Sequence, residues 1–200
     1  MIKYINIFFI TLSLSACSSK VEKQTDKVIG TYSKLEKDNI DMFFPSEFKQ
    51  ISHQEYVNSI KNNPGILNKE ERIKIANIQK ISTGNIYHFI NKEELIEVDI
   101  KMSPYFDFNK TDSTHLLAML SANCQNSTNP FGKNCKKISA GFSLNAQTKV
   151  FKALFKVTYG STVTYNNMYL ISSNNKTFSV IIKSPKNTNY NSYIQKIRIK

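Results

Sequence analysis

Three features of this sequence predict an α+β fold, an antiparallel β-sheet with flanking helices. Apolar and polar residues alternate with period two through the middle and C-terminal stretches. Segments with helical period stand before and after these strands. Asn, Gly, Ser and Pro separate neighbouring strands at hairpin distance, which favours antiparallel pairing over crossover connections. Strands in succession with helices at either end give a sheet covered on one or both faces, an α/β/α sandwich.

The globular part opens at Ile40-Asp41-Met42-Phe43-Phe44-Pro45, an extended aromatic strand that Pro45 stops because proline offers no amide to a ladder. Ser52 and Glu55 make a capping box, and Ile51 with Tyr56 makes the hydrophobic staple around the same helix start. Tyr56, Val57 and Ile60 give that helix its apolar face, and Asn63-Pro64-Gly65 ends it. Residues 68–75 read equally as a second short helix, capped by Asn68 and Glu71, or as a strand through Ile73 and Ile75. Residues 77–81 and 86–90 flank Thr83-Gly84-Asn85, a turn between strands. Ile96, Val98, Ile100 and Met102 then alternate with Glu97, Asp99 and Lys101, the pattern of a half-buried strand, and Pro104 closes it.

Thr111-Asp112-Ser113 caps a helix running through Leu116, Leu117, Leu120 and Cys124. Residues 137–144 form the next strand. In residues 150–159, Phe151, Ala153, Phe155, Val157 and Tyr159 face one way while Lys152, Lys156 and Thr158 face the other. Residues 162–172 and 177–183 pair across Ser173-Asn174-Asn175-Lys176, a hairpin-like turn. Tyr190, Tyr193, Ile194 and Ile197 fall at i, i+3, i+4 and i+7, predicting a closing helix capped by Asn189.

Ahead of this domain lies an address. Lys3 supplies a positive head, residues 5–14 are almost wholly apolar, and small residues precede Cys17. That is the plan of a secretory signal, and the apolar run is too short to span a bilayer. Leu14-Ser15-Ala16-Cys17 resembles the lipobox of bacterial lipoproteins, an aliphatic residue and two small ones before Cys. The resemblance implies cleavage before Cys17, a diacylglyceryl group on its sulfur and acylation of the new amine. Two or three chains at about 0.8 kcal/mol per buried methylene hold a protein on a membrane essentially permanently. Ser18 and Ser19 follow the Cys, where enterobacterial lipoproteins kept at the inner membrane carry Asp; the resemblance therefore implies an outer-membrane anchor facing the periplasm. Residues 18–36 are polar and without apolar period, the composition of a flexible tether with a reach of about 25 Å for ~20 residues. The expected division is a signal peptide over residues 1–16, a lipid-anchored tether over 17–36 and one globular domain over 37–200.

With Cys17 assigned to lipid, Cys124 and Cys135 remain, flanking the polar stretch Asn126-Ser127-Thr128-Asn129-Pro130-Phe131-Gly132. Outside the cytoplasm this spacing reads as a structural disulfide; redox pairs usually sit as Cys-x-x-Cys, and no His stands near either Cys to suggest zinc. Charge is divided unevenly. Residues 1–112 hold 15 Lys+Arg and 15 Asp+Glu, whereas residues 113–200 hold 12 Lys+Arg and no acid, so the whole net charge of +12 sits in the C-terminal part. Such asymmetry points to an anionic partner, against the plainer reading of a Lys/Asn/Ile-rich composition with solvated lysines.

Catalytic motifs do not emerge. The chain has no Gly-x-Ser-x-Gly, no His-Glu-x-x-His and no glycine-rich phosphate loop, and it has only six glycines from which to build one. His53 and His115 fall in helix first turns and are expected to be exposed; His88, on a strand with Ile86 and Ile90, reads as a satisfied core residue. Glu70-Glu71 suits a helix N-terminus and Glu93-Glu94 a turn. Tyrosines are plentiful in the acid-free part, among them Tyr159, Tyr165, Tyr169, Tyr190 and Tyr193, and core packing accounts for most of them.

The order of elements resembles the PsbP/Mog1-like α/β/α fold, in which an aromatic-proline start like Phe43-Phe44-Pro45-Ser46-Glu47-Phe48 precedes a helix, a long meander and a closing helix. That resemblance implies roles in binding and assembly and assigns no site residue. The sequence-based expectation is a non-enzymatic, lipid-anchored envelope protein with neither cofactor nor metal. Lys149, Lys152, Lys156, Tyr159 and Tyr165 are its candidate partner-binding residues, facing an acidic protein or an anionic envelope component rather than nucleic acid. The specific form of this expectation is an immunity protein against a periplasmic toxin; the other is an accessory lipoprotein for outer-membrane or secretion-complex assembly.

Overall fold

A computed structural model describes residues 28–62, 84–125 and 133–200. The stretch read as a signal peptide, Cys17, the expected stop of the first helix at Asn63-Pro64-Gly65, Glu70-Glu71, and the elements expected at 68–75 and 77–81 lie outside these residues.

The described strands form two antiparallel sheets. In chain order they are β1 (Thr31–Leu35), β2 (Ile40–Phe44), β3 (Lys49–Ile51), β4 (Ile86–Asn91), β5 (Ile96–Ser103), β6 (Lys133–Asn145), β7 (Thr148–Tyr159), β8 (Thr162–Ser173), β9 (Lys176–Ser184) and β10 (Arg198–Ile199). The large sheet has the order β3-β4-β5-β9-β8-β7-β6, and the small one the order β1-β2-β10. Among the described residues three α-helices join them: α1 (His53–Asn62), α2 (Ser113–Gln125) and the single turn α3 (Asn191–Ile194). The α+β class and the antiparallel sheet with flanking helices hold.

Pairing register assigns the faces, because directly opposed residues share one. Ile100, Val180, Tyr169 and Lys152 form one cross-strand row. Their face carries the main core, where Val98, Ile100, Phe178, Val180 and Ile182 meet Leu35, Ile40, Met42 and Phe44 of the small sheet and Tyr190 and Ile194 of the C-terminal segment. His88, Asp99, Ile181, Met168 and Ala153 form a row on the opposite face. There α2 packs Leu116, Leu117, Leu120 and Cys124 against Phe151, Ala153, Phe155 and Val157, while α1 packs Tyr56 over His88.

Local chemistry explains the boundaries. Ser52 and Glu55 cap α1 reciprocally: the Glu55 amide donates to Ser52 Oγ at 3.2 Å and the Ser52 amide to Glu55 Oε2 at 2.7 Å. The Glu55 carboxyl is held below the usual carboxylate range by the Ser52 backbone and hydroxyl hydrogen bonds. Asn174 and Asn175, both at positive φ, supply the twist a two-residue hairpin needs between β8 and β9. Gly84 has a φ of +111°, and a Cβ there would lie 2.3 Å from the Met102 carbonyl oxygen. Cys124 and Cys135 are bonded, tying the last turn of α2 to the start of β6. Their 11-position separation closes a short loop, so reduction should cost about 2–3 kcal/mol. Urea unfolding with and without reductant measures that difference.

Three expectations about the elements are corrected. Strand β1 lies inside the stretch read as tether, so the domain begins before residue 37; only Leu35 is buried there, and pairing with β2 rather than an apolar stripe holds the strand. The closing helix over 190–197 shortens to Asn191–Ile194, because Arg198 and Ile199 pair with Asp41 and Ile40 of β2 instead. Asn189 does accept the Asn191 amide, at 3.1 Å. Strand β5 is not half in water: Asp99 is 5% exposed, since α1 covers the face that was expected to be polar.

Candidate functional site

The acids that neutralise the C-terminal basic residues come from the N-terminal part, and the fold places them unevenly. Lys149 pairs with Asp107, Lys183 with Asp99 and Glu97, Lys186 with Glu94, and Lys200 with Asp41. Lys176 donates to the backbone oxygens of Asp38 and Lys200. Lys196 lies over the Phe43 ring and Arg198 over the Tyr32 ring, at 4.8 and 4.0 Å from their centroids. Lys136, Lys137, Lys152 and Lys156 have no carboxylate partner among the described residues. All four stand on β6 and β7, at one end of the large sheet.

Register sharpens that cluster. Lys136 is directly opposite Lys156, and Lys156 is directly opposite Tyr165, so two lysines and a tyrosine form one cross-strand row. Like charges set directly opposite one another are destabilising. Lys152, four residues before Lys156 on the same face, lies 5.6 Å from the Tyr169 ring centroid and 3.5 Å from Asn189 Oδ1. Burial pushes its ammonium below the ordinary lysine range, and no neighbouring carboxylate offsets that. The small sheet and α3 cover the central strands, whereas Lys136, Ser139 and Gly141 of β6 remain exposed.

Of the five residues expected to act together, Lys152, Lys156 and Tyr165 share this face. Lys149 does not. It sits three residues before Lys152, which on a strand means the opposite face, and Asp107 neutralises it there. Tyr159 pairs with Thr162 at the end of β7, beside the turn to β8. Lys136 and Lys137 were missed; register sets Lys136 opposite Lys156 on this face and Lys137 opposite Phe155 on the other.

The opposite face holds a second polar constellation. His88 is 1% exposed, and its ring lies parallel to Tyr56 with centroids 4.0 Å apart. Its Nδ1 stands 2.8 Å from Asp99 Oδ1, and its Nε2 stands 3.2 Å from His53 Nδ1. With Nδ1 turned to the carboxylate, His88 presents Nε2 to the His53 ring. His53 is thus half-buried against His88, not exposed as a helix first turn had implied; His115 is exposed. Lys183 Nζ completes the group, 2.8 Å from Asp99 Oδ2. Burial opposes the charge on Asp99, but the Lys183 ammonium and the His88 hydrogen bond outweigh it and hold the carboxyl well below the carboxylate range. Asp99 satisfies both neighbours, and the arrangement pins α1 to the sheet.

The Asp99 carboxyl makes the stability of the fold depend on pH. Because the folded carboxyl titrates below the unfolded value of about 4, its contribution is complete above that pH and is lost as pH falls beneath it. Asp99→Asn should cost about 3 kcal/mol at neutral pH and flatten the acid limb below about pH 4. Urea midpoints across pH 2–7 for the two proteins read both effects.

Among the described residues, no helix is long and apolar enough to cross a membrane. No protein-family model matches the chain, and no curated protein matches it. Its fold is similar to that of cyanobacterial PsbP (CyanoP) from Synechocystis sp. PCC 6803, with a TM-score of 0.53 over 88% of this chain and 96% of that one at 9% identity. The likeness is one of architecture: a PsbP-like α+β fold.

Proposed function

We propose that this chain is a non-enzymatic, lipid-anchored envelope protein that binds an acidic protein partner through the β6–β7 end of its large sheet. One observation carries the reading. Among the described lysines after residue 112, those with neither a carboxylate nor a backbone-oxygen partner are Lys136, Lys137, Lys152 and Lys156, all on two adjacent strands and two of them directly opposed. A fold that tolerates this repulsion gains when an anionic surface arrives. Its specific form is immunity to a toxin acting in the periplasm, with Cys17 as the lipid attachment that keeps the protein there.

Capture from the envelope and secreted fractions tests the proposal. One protein retained in stoichiometric amount near 50 mM salt and released near 0.5 M supports it, because screening over a few ångströms removes the attraction. A toxin identifies the immunity form; a component of an outer-membrane or secretion complex would assign the same face to assembly. Retention of phospholipid or lipopolysaccharide alone would overturn the protein-binding reading.

A further inference from the structure

Strand β6 stands out as an edge. It is 13 residues long and, among the described residues, pairs only with β7, whereas β3 at the other end of the sheet has three residues. Edge strands present unpaired backbone N–H and C=O groups, and proteins commonly blunt them by shortness, proline, lysines, bulges or a covering segment; β6 carries three lysines and one bulge, and residues 139–145 beyond the bulge carry neither. β6 is long and contains no proline. Residues 136–141 are exposed, and the side chains of Ile138 and Leu144 are 43% and 60% accessible.

From this geometry we propose that β6 receives an extended acidic segment of the partner, which adds to the large sheet as a further antiparallel or parallel strand. The inference rests on the binding reading above and specifies its mode. Side-chain alternation states the chemistry of the incoming strand. Lys136, Ser139, Gly141 and Ser143 share a face with Lys152 and Lys156, while Lys137, Ala140, Phe142 and Leu144 share the other with Phe155, Ala153, Phe151 and Lys149, so the apolar stretch of that face is residues 140–144. A segment alternating acidic and apolar residues meets both faces at once: carboxylates reach the lysines, and apolar side chains extend the cluster of Phe108, Phe142 and Phe151. A second copy of this chain is a poor occupant, since β6 contains three lysines and no acid. The edge is also held in place beforehand. Cys135 ties one end to α2, and the turn at 146–147 ties the other to β7, which lowers the ordering cost of binding. The bulge between Lys137 and Ser139 divides the edge and leaves residues 139–145 in unbroken register with β7.

The test uses the full-length protein and three capped octapeptides of alternating Glu and Val. One has an ordinary backbone, and two are N-methylated at alternate positions, one set at the Glu residues and the other at the Val residues. Only one set of amides can face β6, so one methylated isomer should bind like the parent and the other at least about tenfold more weakly. Amide exchange should slow in β6 when the parent peptide binds. Equal binding by all three with unchanged β6 exchange would overturn strand addition while leaving a purely electrostatic basic face intact. No binding by any of them would also overturn it, and the salt-dependent capture would then decide the binding reading separately. Unchanged affinity in K136E/K156E would overturn the acidic character assigned to the segment.

Discussion

Lys156→Glu is expected to make the protein more stable and a poorer binder. In the wild type Lys156 is directly opposite Lys136 on the same face. A glutamate there turns a repulsive cross-strand pair into an attractive one, worth about 0.2–1 kcal/mol. The same change should remove a steering and contact charge from the basic surface. Combined with Lys136→Glu and Lys152→Glu, it should weaken the acidic partner by about a hundredfold or more, roughly 3 kcal/mol, with a much shallower salt dependence. Urea unfolding of the single variant and titration of the single and triple variants against the captured partner separate the two effects. Unchanged affinity in the triple variant would reduce these lysines to a solvated surface.

The second large effect concerns the anchor. Cys17→Ser should move the protein from the membrane pellet and detergent phase to the soluble fraction almost completely. Under the proposed lipidation two or three acyl chains would account for nearly all of the attachment, and serine offers no thiol to alkylate. The domain itself should unfold at the same urea concentration in both forms, because among the described residues strand pairing begins at Thr31. Unchanged detergent partitioning would refute lipidation at this position.

Much of the fold was legible because its strongest signals are local. The capping box at Ser52 and Glu55, the Asn174-Asn175 turn and the alternation from Phe151 to Val157 each depend on residues close in sequence. Strand β1 escaped because an edge strand that buries only Leu35 needs no period at all. The shortened last helix had the right apolar spacing, yet a pairing with β2, more than 150 positions earlier, claimed Arg198 and Ile199. Asp99 alternated like a solvent-facing residue. Its burial depends on α1 covering β4 and β5, and on His88 and Lys183 arriving from other strands to satisfy it.

The candidate site shows the same division. The sequence reading grouped Lys149 with Lys152 and Lys156, although strand parity alone separates them, since an odd spacing reverses the face. The row of Lys136, Lys156 and Tyr165 required register across three strands, which no local pattern encodes. Charge totals located the basic half of the chain. Only the tertiary positions of Asp41, Glu94, Asp99 and Asp107 revealed which lysines they leave without a counter-charge.

Site-specific photo-crosslinking in the cells that make this protein tests the central claim most directly. A photoreactive residue would replace Lys136, and in a parallel strain Glu93, which sits exposed in the turn between β4 and β5. One discrete protein adduct is expected from position 136, lost at high salt, and none of the same mass from position 93. The same smear from both positions, or no adduct from either, would contradict the claim: the basic end of the sheet would then be surface composition and not a binding face.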